Sequence, residues 1–239
     1  MPKSELKIDW ATHQAARYAC LNWHYSKRMP RFKTVKVGAW ENGQFIGVVL
    51  FGWGATPDLV KRYGLKMQEG CELTRVALRE HKAPVSRIMA LAIRFLKRSS
   101  PGLRLIVSFA DPDQGHHGGI YQATNWVYLG TSGPTTIWLD RKGREWHARN
   151  VGTEVNPKRQ IMVSRSECTP IKKPGKHRYL MPLDDKMREQ IKHLAKPYPT
   201  REKQAMAVPS AQRRGSADLH APKPKDSGEI FPTIKADAA

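Results

Sequence analysis

Apolar residues recur along the chain with two different periods, and the changes of period lay out the elements. After Leu6 and Ile8, Asp9 can cap a helix in which Ala11, Ala15, Tyr18, Ala19 and Asn22 return at helical spacing. Residues 35–51 switch to a strand pattern on both sides of Asn42-Gly43, a pair that tolerates the positive φ of a tight hairpin. A loop with a short helix around 58–63 follows. CELTRVAL at 71–78 then predicts a strand, its β-branched and apolar residues alternating with polar ones. Pro84 breaks the chain before Ser86, which is placed to cap a helix with Ile88, Leu91, Ala92, Phe95 and Leu96 on one face. Lys97 and Arg98 suit the negative end of that helix dipole.

Pro101-Gly102 ends the helix, and LRLIVSF at 103–109 is continuous enough for a strand covered on both faces. The polar loop ADPDQGHHGG leads into a short helix from Gly119 and a strand at WVYLG. Residues 135–139 predict a strand paired through 141–143 with REWHA; HRYLM at 177–181 predicts another, before a helix over 184–194. The expected fold is α/β, a central mixed sheet flanked by helices. From Pro197 onward the chain holds six of the seventeen prolines and no sustained periodicity. One domain over 1–196 and a flexible Pro-rich tail over 197–239 are therefore expected.

Charge changes this picture more than composition does. Against an ordinary 40% hydrophobic content, 41 Lys and Arg face 21 Asp and Glu, a formal charge of +20. Such an excess suits a polyanion, because each phosphate neutralised releases condensed counterions. Nucleic acid is the leading partner, ahead of an anionic membrane or a merely solvated basic surface. The segment from Pro197 carries seven basic and five acidic residues, so the basic part is the folded part. Three widely spaced cysteines, Cys20, Cys71 and Cys168, form neither a disulfide framework nor a C-x-x-C motif. The start has no apolar signal region and no run of about 18 apolar residues occurs, so a soluble cytoplasmic protein without a membrane partner is expected.

Two stretches carry candidate chemistry. The first is 104–130, where strand, polar loop and short helix meet at the carboxyl end of a strand, the place where open α/β sheets hold ligands. Asp111 there can be a general base, a metal ligand, an anchor for an amine edge, or only the cap of the next turn. His116 and His117 should diverge, and Tyr121 either packs or stacks on a base. The second is Trp23 to Arg28: His24 and Tyr25 offer a proton acceptor and donor, Lys27 and Arg28 can hold phosphates, and Trp23 closes the core. Glu72 is a further candidate base, or a partner for nearby cations.

The order of elements resembles the GNAT acyltransferase plan, in which the strand before the capped helix splays from the next strand to admit a thioester donor. NWHYSKRMP (22–30), VGAWENGQFIGVVLFG (37–52), CELTRVALREHKAPVSR (71–87) and SFADPDQGHHGGIYQATNW (108–126) together resemble the Mom DNA-modification family of Mu-like phages. The resemblance runs from about residue 6 to 150, and on to 185. It implies conversion of adenine in double-stranded DNA to a carbamoylmethylated form that blocks host restriction enzymes, with the base flipped out of the duplex. It implies His24, Tyr25, Ser86 and Asp111 as catalytic residues; Lys27, Arg28 and Tyr121 are placed toward the substrate by their own chemistry. It also implies an iron centre, for which His24, Tyr25 and Asp111 are the candidate ligands. One departure concerns the donor: the turn REHKAPVSR has no glycine to expose amides to a coenzyme A pyrophosphate. A coenzyme A thioester and a glycyl-tRNA are the two donors considered. The rival functions are a GNAT-type acyltransferase acting on tRNA or aminoacyl-tRNA and a non-catalytic DNA-binding protein.

Overall fold

The first apolar residues form a strand rather than the approach to a helix. In the computed structural model, which describes residues 5–30, 32–54 and 58–199, β1 (Leu6–Trp10) pairs antiparallel with β2 (Thr34–Glu41). Asp9 is consumed in that ladder opposite Gly38, and the cap of α1 (His13–Trp23) passes to Thr12, whose Oγ1 accepts from Ala15 N at 3.1 Å. Moving the helix start rotates its buried face onto Ala16, Ala19 and Cys20. The expected hairpin is present: Asn42 and Gly43, with φ of 49° and 79°, join β2 to β3 (Gln44–Gly52).

β4 (Gly70–Leu78) follows as expected, and then α2 (Val85–Ser99). Pro84, not Ser86, occupies the N-cap of α2, and no side chain caps it. The approach to the helix is fixed from elsewhere: the buried Glu41 carboxylate accepts from Lys82 N at 2.9 Å and Ala83 N at 2.7 Å. Ser86 sits in the first turn, half-buried. Beyond come β5 (Leu105–Ala110), the single turn α3 (Gly119–Gln122) and β6 (Val127–Thr131). Then β7 (Thr135–Asp140), β8 (Glu145–His147), β9 (Val151–Gly152), β10 (Val163–Ser164) and β11 (Cys168–Lys173) form small sheets outside the main one. The chain returns through β12 (His177–Pro182) to α4 (Asp185–Ile191), capped by Asp184, which also holds Arg104 at 2.9 Å.

The main sheet has the order β1-β2-β3-β4-β5-β12-β6. Every neighbouring pair is antiparallel except β4 and β5, which run parallel for three pairs, Gly70↔Leu105, Cys71↔Ile106 and Glu72↔Val107. Past Glu72 the two strands part. This is the mixed, helix-flanked sheet with a splayed pair that the element order implies. One face is a continuous core in which Leu73, Ile106 and Tyr179 pack with Ile88, Met89 and Ala92 of α2. The other face is divided at the split: α1 packs on Val48, Leu50 and Ala77, while Met187 and Ile191 of α4 pack on Leu105, Val107 and Leu180.

No helix among the described residues is long and apolar enough to cross a membrane, and the three cysteines are free. The tail expected over 197–239 lies, from residue 200, outside the described residues. Before that point Tyr198 still donates its hydroxyl to Trp126 O at 2.6 Å.

Replacing Glu41 with Ala strands two amides that have no other acceptor, so it should lower unfolding stability by about 2–3 kcal/mol. Urea denaturation of the variant reads this directly; a change below about 0.5 kcal/mol would show that the carboxylate does not hold the turn.

Candidate active site

The opening between β4 and β5 needs substitutes for the ladder that stops there. Ser108 Oγ donates to Leu73 O at 2.8 Å, and Tyr121 Oη lies 2.8 Å from the same Oγ. With the serine proton committed to the carbonyl, the tyrosine must be the donor of the second bond. Tyr121 is 6% exposed and packed between Trp126 and Tyr179, each 4.9 Å away between ring centroids. Burial pushes its pKa up to about 12, so the proton stays. Of the two roles open to Tyr121 the structure gives packing: the ring has no face left for a base. Gly118 makes room for this plug, since its φ is +78° and a Cβ there would run into the Tyr179 ring.

Two loops meet above the opening, one from each side of the split. His24 ends α1, and the turn after it is closed by Lys27 N donating to His24 O at 3.0 Å. His24 is buried at 7% exposure while Tyr25 is 47% exposed, and their rings lie 4.3 Å apart. Tyr25 in turn meets the edge of His116, from the loop after β5, at 5.2 Å. The aromatic row His24, Tyr25, His116 thus spans the gap. The His117 ring instead lies against Gly119, so the two histidines diverge as expected.

His24 has a defined tautomer. Ser26 N donates to Nδ1 at 3.1 Å, so that nitrogen carries no proton and the neutral ring must bear it on Nε2. Burial, and then the positive charges of Arg75, His116 and Lys27, lower its pKa from 6.5 to about 4. The ring is therefore neutral near pH 7 and presents an N–H. Its expected role as proton acceptor is reversed, because a backbone amide has already claimed the lone pair.

Arg75 is the residue that sequence reading passes over. A bulge sets Leu50 opposite Arg75 and Phe51 opposite Leu73, leaving Thr74 as the extra residue. Strict alternation would have put Arg75 on the α2 face with Leu73; the bulge turns it to the α1 face, within electrostatic reach of His24 and Cys20. Its Nη1 donates to Thr74 O at 2.8 Å and its buried Nε has no partner. Among the described residues no carboxylate pairs with it. A part-buried cation in this state suits an anionic or carbonyl oxygen of a ligand.

The other expected residues lie as follows. Asp111 caps the turn after β5, accepting from Asp113 N at 3.2 Å, and pairs with Lys176 at 2.9 Å. Its carbonyl accepts from His116 N at 3.1 Å. Its bonds hold the His116 loop and do not reach His24. Among the described residues no group of three or more His, Cys, Asp or Glu is placed to hold a metal ion. Lys27 turns its Nζ onto Asn22 O at 2.6 Å, closing the end of α1, and Arg28 is exposed. Trp23 packs edgewise on Tyr18 and against Phe45, in keeping with a core-closing role. The Glu72 carboxylate lies against Gly54, at the last position where β4 pairs with β5.

Comparison with known proteins comes to the same region of sequence. The model of the Mom protein family matches residues 5–200. A curated relative, "Methylcarbamoylase mom" of Escherichia phage Mu, is 23% identical over 202 residues, covering 82% of this chain and 84% of its own. Among solved structures, a putative acetyltransferase from Acinetobacter baylyi ADP1 is 12% identical with a TM-score of 0.42, covering 77% of this chain and 95% of its own. An aminoglycoside acetyltransferase, AAC(6')-Ib with coenzyme A, is 10% identical with a TM-score of 0.45, covering 79% and 99%.

The depressed pKa of His24 has a measurable sign. Between pH 6.5 and about 4 the unfolded chain takes up a proton that the folded chain refuses, so stability is full above 6.5 and falls on acidification through that window. His147 and His177, also lowered by burial, act in the same direction. His24→Gln should make the loss of stability between pH 7 and 5 shallower than in wild type, read by urea midpoints at each pH. An unchanged slope would mean that His24 titrates normally.

Proposed function

Because the chain belongs to the Mom protein family, we propose that it is a transferase that modifies the exocyclic amine of adenine in DNA, leaving a carbamoylmethyl group that shields phage DNA from host restriction. The observation that carries this reading is the row His24, Tyr25, His116 across the opening of β4 and β5, with Arg75 turned toward it by the bulge. The opening supplies a slot for a donor between two strands. His24 Nε2–H is a neutral donor aimed at an acyl oxygen, where negative charge develops as the amine attacks. The Tyr25 hydroxyl, exposed and without a partner among the described residues, takes part in moving the amine proton. Arg75 holds the carbonyl or anionic part of the donor. Asp111 is a positioning residue, fixing the loop that brings His116 to Tyr25.

The donor we favour is a glycyl ester on tRNA. Two amides before α2, of Lys82 and Ala83, are already taken by Glu41 and are not free for a coenzyme A pyrophosphate. The adenine amine attacks the glycyl carbonyl, the ester oxygen leaves with a proton, and an amide forms. The free glycyl amine then attacks the ring carbon and displaces the original nitrogen, which departs as the terminal amide. Glycyl and carbamoylmethyl adenine are isomers, so the second step needs no oxidant.

Nucleoside mass spectrometry of DNA from expressing cells tests the function: a new adenine nucleoside is expected. Modified tRNA with unmodified DNA would favour the acyltransferase of tRNA, and neither would favour a non-catalytic binder. Arg75→Gln and His24→Gln should each lower the adenine product on the order of 10²-fold with the fold intact by circular dichroism. The donor route is tested with DNA labelled at the adenine exocyclic nitrogen. Label in the terminal amide is expected; label kept on the ring carbon would exclude the rearrangement.

A further inference from the structure

Between β6 and β12 the chain makes an excursion over residues 133–175 and returns beside its point of departure. The neck is closed by Ser132 N donating to Lys176 O and Lys176 N donating to Ser132 Oγ, both at 2.9 Å. It stands at the site end of the sheet, since His177 lies opposite Ala110 at the end of β5. Two ion pairs tie it to the loop after β5, Lys176 to Asp111 at 2.9 Å and Lys173 to Asp113 at 3.2 Å.

The excursion has little core of its own. Val151 and Val163 are its only buried apolar side chains, and in the β11-β7-β8 sheet every residue is exposed or only partly buried. Register places Trp138 opposite both Trp146 and Pro170, so these three lie side by side on one face with Lys172 beyond them opposite Thr136. An arginine covers each indole: Arg144 at 5.5 Å from the Trp146 ring and Arg165 at 5.4 Å from the Trp138 ring. Asp140 sets the first pair, accepting from Arg144 Nε at 2.7 Å and from Trp146 Nε1 at 3.0 Å. Among the described residues the Nη groups of Arg144 make no hydrogen bond, and Arg165 has no carboxylate partner. Residues 133–176 hold ten Lys and Arg against four Asp and Glu.

We propose that this tryptophan-backed arginine face, Arg144 and Arg165 with Lys142 and Lys172, is the surface that grips the phosphate backbone of duplex DNA beside the site. The proposal rests on the reading of DNA as substrate. Guanidinium groups stacked on indoles are held in place before binding, so little freedom is lost when each meets a phosphate. Burial of that otherwise open face under the duplex accounts for a sheet that has almost no core.

The test is fluorescence anisotropy of the full chain with a labelled duplex of about 30 base pairs across about 50–300 mM KCl. Arg144→Gln with Arg165→Gln should weaken binding about tenfold and flatten the log–log salt slope by nearly two, as for two lost phosphate contacts. Lys142→Ala with Lys172→Ala leaves both stacks and Asp140 in place, and should also flatten the slope. Arg94→Gln with Arg98→Gln, exposed on α2, should leave it unchanged. Wild-type slope in both of the first two variants would overturn the surface while leaving DNA as the substrate. Absence of duplex binding by the wild type would overturn both readings. Loss of tRNA binding in those variants with duplex binding intact would assign the face to tRNA and overturn the proposal.

Discussion

A parallel pair of strands that stops pairing after three residues organises the molecule. Beyond Glu72 and Val107 the facing carbonyls and amides of β4 and β5 have no ladder, and a sheet interior does not leave such groups bare. Ser108 answers for Leu73 with its hydroxyl, and Tyr121 answers for Ser108. That chain of donors explains why a tyrosine from a polar, glycine-rich loop ends up deep in the core. It also explains why α1 and α4 bury separate clusters, because the face they share is interrupted where the strands diverge. The split is at once a cost in backbone pairing and a break in the sheet between two neighbouring strands.

A second irregularity acts with the first. The single extra residue at Thr74 reverses which side of β4 the next side chains take, and so sends a guanidinium toward α1 instead of into the α2 core. Burial lowers the His24 pKa first, and the Arg75 charge adds to it. Neither feature alone gives a neutral imidazole with a fixed tautomer. Burial without Ser26 would leave the tautomer open, and the Ser26 bond on an exposed ring would leave the charge open.

What could be read in the sequence follows whether the deciding chemistry is local. Asn42-Gly43 carries its turn in its own backbone preferences, and the helical stripe of α2 carries its buried face, so both were legible. The caps at Asp9 and Ser86 were not, because each was decided by a distant partner: β2 took Asp9 into a ladder, and Glu41, more than forty residues from Ala83 in sequence, fixed the turn before α2. Arg75 was hidden for the same reason, since a bulge is a relation between two strands. His24 and Tyr25 stood out by their side-chain chemistry and again in the family resemblance, yet the direction of the His24 proton needed the Ser26 amide. The short strands of 151–173 have too little pattern to announce themselves, being two to six residues long.

The neck at Ser132 and Lys176 carries a consequence for how such a protein can diversify. Its two ends belong to neighbouring antiparallel strands, so the length and content of what hangs there are uncoupled from the threading of the main sheet. Lengthening a closed excursion costs only slowly growing loop entropy. What hangs from the neck can therefore change by insertion, deletion or exchange while the strands of the main sheet keep their register. Descendants of one core can in this way differ most in the excursion and least in the sheet it leaves.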